Sequence, residues 1–435
     1  MYIGSVYKKR PQNPEDKHYG VIVSQPPVEN LVFEGSGPKG AVYIGAIEVL
    51  EARGILDGIT NVGGSSSGAM TALVVGLGYN AAEIRRITFE KDWSDLADFW
   101  PKSEEVSGFW NKLEKTRSTL AKRLFGEEGK KTGLCWGNNL KDWFTSIIQT
   151  RVDKALELEE DQTCKRYGRA LAIRNKEDVT FADVAELKTL FPELNIRDIS
   201  VTGANVTDER LEIFNVHNTP DMPVDLAVRI SASFPIFFKN IIYKDKEYTD
   251  GGSLNNYPMC IYDEAPYIKE SEKKRFQGLY GQNLCTLGFR VESSEEIREI
   301  LWQSGQEDES GTVQKFLEAI AESSKRMAAK AIMGVDYIAA KRILHEGIYG
   351  RYAQRTVQLP DSDYSSLSIN LDDQDIKILT ETGAKATEEW LSLYYDDAGI
   401  EIEFNELSEL EEYLNDQQLA EVASKLQALD SPPER

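Results

Sequence analysis

Two periodicities alternate along this chain. Short apolar runs end in glycine, and longer stretches with helical spacing separate them. Asn30-Leu31-Val32-Phe33 reads as the first buried strand, and it runs straight into Gly35-Ser36-Gly37-Pro38-Lys39-Gly40. Ala41 to Arg53 follows as a dense helical stripe of Val42, Ile44, Ala46, Ile47, Val49 and Leu50, stopped by Gly54. Ile59-Thr60-Asn61-Val62 predicts a second strand, Gly64-Ser65-Ser66-Ser67-Gly68 a sharp turn, and Ala69 to Leu77 a second helix. Asn80-Ala81-Ala82-Glu83 has the form of a capping box opening a third. From 90 to 165 the pattern is charged and irregular. Strands return at Ile199 to Ala204 and Leu211 to Phe214. Pro223 then opens a helix through Val224, Leu226, Ala227 and Ile230, which Pro235 ends. Tyr248-Thr249-Asp250-Gly251-Gly252 reads as a strand end and turn, Leu284 to Val291 and Arg355 to Leu359 as strands, and Asp373 to Leu393 as a closing helix. Strand, glycine loop, helix, strand, turn, helix is a β-α-β-α order that implies a parallel sheet with right-handed crossovers. Function in such sheets gathers at the carboxyl ends of the strands, where the glycine loop and Ser66 both fall.

The ends of the chain differ from this middle. Residues 1–26 are polar and rich in proline, with Val21-Ile22-Val23 as a short strand candidate, and read as a leader. Residues 396–435 hold twelve acidic and two basic residues. Leu407, Leu410, Leu414, Leu419, Val422, Leu426 and Leu429 recur there at helical spacing, which predicts one or two acidic amphipathic helices. Formal charge is −22, from 50 basic and 72 acidic residues, which argues against a nucleic-acid partner and against global attraction to anionic lipid. Cys135, Cys164, Cys260 and Cys285 are scattered, with no spacing that suggests a metal or a disulfide framework. No secretory h-region stands at the N-terminus and no apolar run approaches the ~20 residues of a membrane span. These features lead to the expectation of a cytoplasmic or peripheral-membrane protein, or one exported by a route that needs no signal peptide.

The candidate chemistry centres on Gly64-Ser65-Ser66-Ser67-Gly68, a G-x-S-x-G pentapeptide between a strand and a helix. The turn crowds the backbone, so its flanks must be small, and Ser66 takes the central register. A serine hydroxyl needs a base. The chain has three histidines, His18, His217 and His345, and none sits in a marked motif. A carboxylate can serve instead, and Asp250 stands in a turn where two glycines allow close backbone approach. The glycine loop has two uses. It matches the G-x-G-x-x-G dinucleotide fingerprint, but Asp57, near the distance of the ribose-binding acid, precedes its strand instead of ending it. Otherwise its N–H groups, at a helix N-terminus, suit an oxyanion hole. A Ser, acid, His order through Ser66, Asp250 and His345 keeps a histidine-triad α/β-hydrolase open.

The ordered set resembles the patatin-like phospholipases. It comprises the loop Gly35 to Gly40 with Lys39 near its end, the run Gly64 to Met70, and Tyr248-Thr249-Asp250-Gly251-Gly252-Ser253-Leu254-Asn255-Asn256-Tyr257-Pro258. Gly133 to Gly137, Thr180 to Leu187 and Ala227 to Pro235 support it, over residues 30–395 or so. The resemblance implies a three-layer α/β/α sandwich with a mostly parallel central sheet over 27–395, followed by a helical appendage. It implies a serine lipid acyl hydrolase of phospholipase A or lysophospholipase type, acting on phospholipid at a membrane surface with no cofactor or metal. Ser66 would be the nucleophile and Asp250 the base. The N–H groups of Gly35, Ser36, Gly37 and Ser67 would hold the oxyanion, with Lys39, Gly40, Gly64, Gly68, Gly251 and Gly252 supporting the motifs. Two departures bear on the oxyanion hole: Ser36 stands where the family's middle glycine does, and Pro38 has no N–H. A catalytically weak binding protein is therefore a further alternative. The layout is also similar to that of patatin-like effectors of intracellular pathogens, some of which need a host protein as activator.

Two stretches suit an interface. Residues 109–131 carry Phe109, Trp110, Leu113, Leu120, Leu124 and Phe125 with seven basic against three acidic residues, and 325–342 interleave Lys325, Arg326, Lys341 and Arg342 with apolar residues. Both belong to expected helical insertions, at 90–165 and 293–345, where a lid or membrane contact fits.

Overall fold

The computed structural model of the chain describes residues 3–8, 19–23, 27–89, 135–235, 238–264, 267, 283–292, 355–361, 373–392, 400–411, 414 and 416–430. Eleven strands are described there: β1 Ile3–Lys8, β2 Tyr19–Val23, β3 Asn30–Phe33, β4 Asn61–Gly64, β5 Asp198–Asn205, β6 Arg210–Phe214, β7 Ile241–Tyr243, β8 Lys246–Asp250, β9 Thr286–Glu292, β10 Thr356–Pro360 and β11 Ile400–Phe404. The α-helices are α1 Val42–Ala52, α2 Ser67–Gly76, α3 Ala81–Phe89, α4 Asn138–Glu157, α5 Lys165–Arg174, α6 Phe181–Leu190, α7 Val224–Ser231, α8 Asp373–Leu391 and α9 Asp416–Asp430.

The central sheet has eight strands in the order β10-β9-β3-β4-β5-β8-β7, with β6 also paired to β5. The five strands from β10 to β5 are parallel, as the crossover pattern implies. β6, β7 and β8 are antiparallel, so the sheet is mixed and the parallel half ends at β5. Helices flank it. Leu31 and Phe33 of β3, Val62 of β4 and Leu287 and Phe289 of β9 enter the main core with α1, α2, α4 and α7. Alternation turns Val32 the other way, onto Tyr257, Met259, Ile261 and Tyr262 from the segment after β8. Asn80 and Glu83 form the expected reciprocal cap of α3, with N···O distances of 2.8 and 2.9 Å.

Three expectations are corrected. The stretch 1–26 is more than a leader: β1 and β2 pair antiparallel, and β2 also pairs with β11. Tyr19, Val21, Phe404, Leu410, Leu414 and Val422 bury a second, small core there. The partner strand lies near the other end of the chain, so local periodicity cannot announce it. The tail accordingly begins as the strand β11 and is helical in α9. Within 90–165, the stretch from Asn138 is core: Leu140, Phe144, Ile148 and Val152 of α4 are buried against the main cluster. The rest of that insertion, 90–134, the second insertion at 293–345, His18 and His345 lie outside the described residues.

Candidate active site

β4 ends at Gly64 and α2 begins at Ser67, leaving two residues to reverse the chain. Ser66 takes φ 55° and ψ −124°, a left-handed conformation that an L side chain adopts only under strain. The flanking glycines make the turn sterically feasible. A Cβ on Gly64 would stand 2.3 Å from the carbonyl carbon of Gly68, and one on Gly68 would stand 2.2 Å from the Phe33 carbonyl oxygen. The strained backbone is held from α7: the Ser66 N–H donates to Ser231 Oγ at 3.0 Å. Ser66 is thereby left partly exposed at the carboxyl edge of the sheet, at the positive end of α2.

Asp250 reaches the same edge from an antiparallel strand. β5 pairs Val201 with Gly64 and Gly203 with Asp250, so β8 ends two residues beyond the level at which β4 stops. Ser66 Oγ donates to Asp250 Oδ2 at 2.7 Å. The other carboxylate oxygen, Oδ1, accepts the Gly252 N–H at 2.7 Å. The Asp250 N–H donates to the Ser233 carbonyl at 3.2 Å. Gly251 turns tightly over β5, where a Cβ would stand 2.1 Å from Thr202 Oγ1. Asp250 is 2% exposed. Burial raises its pKa from 3.8 to about 7, against the smaller lowering effects of the Ser66 and Gly252 hydrogen bonds and the Arg229 charge. Arg229, itself buried, donates to the Gly137 and Trp136 carbonyls at 2.9 and 2.7 Å and to Ser233 Oγ at 2.5 Å. A serine bonded to a buried carboxylate of near-neutral pKa is the arrangement that a nucleophile and its base require.

The glycine loop lies over the same centre, and the four expected N–H donors, three in the loop and Ser67 in the elbow, are used differently. Gly35 N–H donates to the Asn256 carbonyl at 2.9 Å. Ser36 N–H donates to Ser67 Oγ at 2.7 Å, and the two serine hydroxyls lie 3.0 Å apart. Gly37, at φ 59°, opens the 3-10 turn Gly37–Ala41, and Ser67 opens α2. First-turn N–H groups have no intrahelical acceptor, and these two have no other among the described residues. The structure thus separates the four expected donors into two engaged and two open. Gly40 lies over Ser67, with a Cβ position 3.3 Å from Ser67 Cβ. Lys39 does not face the centre. Its Nζ pairs with Asp361 Oδ2 at 2.7 Å, both side chains being buried, and so ties the loop to the end of β10. Asp57 sits in the 3-10 turn Leu56–Gly58 before β4, away from the strand end that a ribose-binding acid occupies. His217 is the one histidine among the described residues, and it lies exposed against the Tyr267 ring. Ser231 and Arg229 fall within the stretch Ala227 to Pro235 and Asn256 within the run after Asp250, where local sequence marks no role for them, and no local signal marks Asp361.

Residues 31–260 match the family model described as Patatin-like phospholipase. The uncharacterized protein YqhO of Bacillus subtilis is 27% identical over 271 residues, which cover 57% of this chain and 75% of that protein. The probable lipid hydrolase 463L of Invertebrate iridescent virus 6 is 23% identical over 247 residues, covering 57% and 67% respectively. Among solved structures, VipD from Legionella pneumophila superposes with a TM-score of 0.58 at 18% identity, covering 98% of this chain and 77% of that one, a likeness of fold.

Proposed function

The chain belongs to the patatin-like phospholipase family, and from that premise we propose that this lipid acyl hydrolase cleaves ester bonds of glycerophospholipids or lysophospholipids through Ser66 and Asp250. The observation that carries the reading is the 2.7 Å hydrogen bond from Ser66 Oγ to Asp250 Oδ2, made by a serine held at φ 55° on a helix N-terminus. Ser66 Oγ attacks the ester carbonyl carbon as its proton passes to Asp250. The resulting oxyanion is held by the open N–H groups of Gly37 and Ser67, aimed by the two helix starts. Collapse breaks the bond to the alcohol, which leaves with the proton from Asp250, and the acyl group stays on Ser66. Water then gives a proton to Asp250 and attacks the acyl ester, releasing the fatty acid and restoring the hydroxyl. No cofactor is needed for this balance.

Exposed Trp136 and Phe234 support a lipid surface as the setting, with Lys239 Nζ 3.0 Å from the Trp136 ring centroid. Both lie beside the site: Trp136 is held by Arg229, and Phe234 follows the residue that holds the Asp250 N–H. Aromatic rings paired with a cation suit the boundary between head groups and acyl chains. No helix among the described residues is long and apolar enough to cross a membrane. Work inside a host cell with a protein activator extends the same reading.

Labelling by a fluorescent fluorophosphonate tests it, on wild type and Ser66→Ala, with and without a eukaryotic lysate. Wild type is expected to label and Ser66→Ala to stay dark. Labelling that requires lysate points to an activator. An unlabelled wild type under both conditions overturns the enzyme reading.

A further inference from the structure

Asn256 stands six residues beyond Asp250 in the same turn, and its side chain is wedged between the two glycine-bearing loops of the site. A Cβ on Gly35 would lie 2.2 Å from Asn256 Oδ1 and 2.8 Å from Ser66 Cβ. A Cβ on Gly252 would lie 2.4 Å from the same Oδ1 and 3.0 Å from Asp250 Oδ1. A side chain at either position would displace this carboxamide, which occupies the space between them. Both donors of its amide nitrogen are used: Nδ2 donates to the Gly35 carbonyl at 2.6 Å and to Glu34 Oε1 at 3.3 Å. Its backbone carbonyl accepts the Gly35 N–H at 2.9 Å. Glu34 is itself buried and fixed by β9, accepting the Val291 N–H at 3.0 Å.

These bonds determine the orientation of one peptide unit. In a planar trans peptide the C=O and the next N–H point in opposite directions. Asn256 holds the Gly35 carbonyl on one side, so the Ser36 N–H points to the other, where Ser67 Oγ takes it at 2.7 Å. The peptide between Gly35 and Ser36 is pinned at both ends, by the Asp250 turn and by the residue after the nucleophile. Gly35 has no side chain to resist rotation of that peptide, so the pins supply the resistance. If the Asn256 bond is lost, the unit can turn over. Its carbonyl oxygen would then face Ser67 Oγ in place of the N–H, and Gly37, two residues on, would lose its alignment.

We propose that Asn256 is a positioning residue: it locks the Gly35–Ser36 peptide and sets the oxyanion loop in register with the Asp250 turn. The proposal rests on the Ser66 and Asp250 reading for its catalytic consequence, though not for the lock itself.

The test uses the full chain with Asn256→Ala and Asn256→Asp, a soluble short-chain ester, and hydrogen exchange of the segment 34–40. For Asn256→Ala, exchange in that segment is expected to quicken by about tenfold or more, while kcat falls by about 10²-fold, the cost of a small misplacement. KM should move by less than about threefold, because the acyl-binding surface is untouched. Asn256→Asp keeps the shape but loses the donor when ionised and regains an O–H when protonated. The groups around it are Glu34 just after β3, Arg290 from β9, whose Nε lies 3.6 Å from Glu34 Oε1, and Asp250 from β8. The ratio of its kcat to that of wild type is therefore expected to rise as pH falls, whereas for Asn256→Ala the ratio stays flat. Unchanged exchange in 34–40 overturns the lock. Quickened exchange with kcat within about threefold of wild type overturns its catalytic role. A wild type that neither hydrolyses esters nor labels with fluorophosphonate refutes the enzyme reading instead, and the exchange result still decides the lock.

Discussion

Asp250→Asn exchanges a buried carboxylate for a neutral group of the same shape, and the site geometry sets opposite effects on activity and stability. Asp250 is 2% exposed, and burial moves its pKa from 3.8 to about 7. At 1.36 kcal/mol per unit of pKa, that displacement corresponds to about 4 kcal/mol of native-state destabilisation when the group is ionised. Its folded pKa lies above its unfolded value. The contribution to stability is therefore fully present below about pH 3.8 and is lost as pH rises through about 7. The asparagine carries no such dependence. Its Oδ1 can still accept the Gly252 N–H, and its amide can donate to Ser66 Oγ, reversing the bond seen in wild type.

Urea midpoints measured from about pH 5.5 to about pH 8.5 should therefore diverge. Asp250→Asn gains on wild type up to about pH 7 and holds a lead of about 2–4 kcal/mol above it. On a soluble ester the same variant should lose about 10²–10⁴-fold in kcat, the usual contribution of a positioned base. Wild-type kcat/KM should rise with pH through about 7, as the base form fills. An Asp250→Asn variant less stable than wild type at about pH 8, or a stability difference that ignores pH, would refute the reasoning.

Ser66→Gly relieves the φ of 55° that Ser66→Ala keeps, so the glycine variant should be the more stable of the two by about 1–2 kcal/mol in urea, with both inactive. Lys39→Met removes the ammonium that Asp361 pairs with inside the fold and should cost about 3–5 kcal/mol, most of which a second change, Asp361→Leu, should restore. A double variant no more stable than Lys39→Met would show that the pair is not the reason.

The parts of the fold legible in the sequence are those that local pattern encodes. β3, β4 and α1 are short runs with unmistakable periodicity, and the elbow is marked by glycines whose absence of Cβ is a steric necessity. Asp250 was legible from its glycines, but not the way it arrives: β8 is antiparallel, and only its register with β5 brings the carboxylate level with Ser66. The β2–β11 pairing and the Lys39–Asp361 ion pair join opposite regions of the chain, and no local signal marks a partner at that separation. The oxyanion loop shows a different limit. Its sequence offers the Gly35, Ser36 and Gly37 N–H groups, yet Asn256 and Ser67 engage two of them, and hydrogen bonds of that kind depend on the positions of loops that only the packed sheet defines.

Among the described residues no histidine reaches this site, and the same burial makes that intelligible. An aspartate at its ordinary pKa of 3.8 holds a proton too weakly to draw one from a serine near neutral pH. A base serves best when its pKa lies near the working pH, which is why histidine usually takes the role. At about 7, Asp250 occupies the histidine range without the ring, and desolvation is the cause. That solution has an inherent danger. A lipid chain closing over the site removes more water and pushes the carboxylate further toward its neutral form, in which it can no longer accept a proton. Three groups oppose the drift, in order of effect: the Ser66 hydroxyl, the Gly252 N–H and the Arg229 charge. On the proposed mechanism the hydroxyl is lost as a donor once Ser66 is acylated. The Gly252 N–H and the buried Arg229 then remain to keep Asp250 ionisable for the attack of water. Deacylation should therefore be the step most sensitive to both.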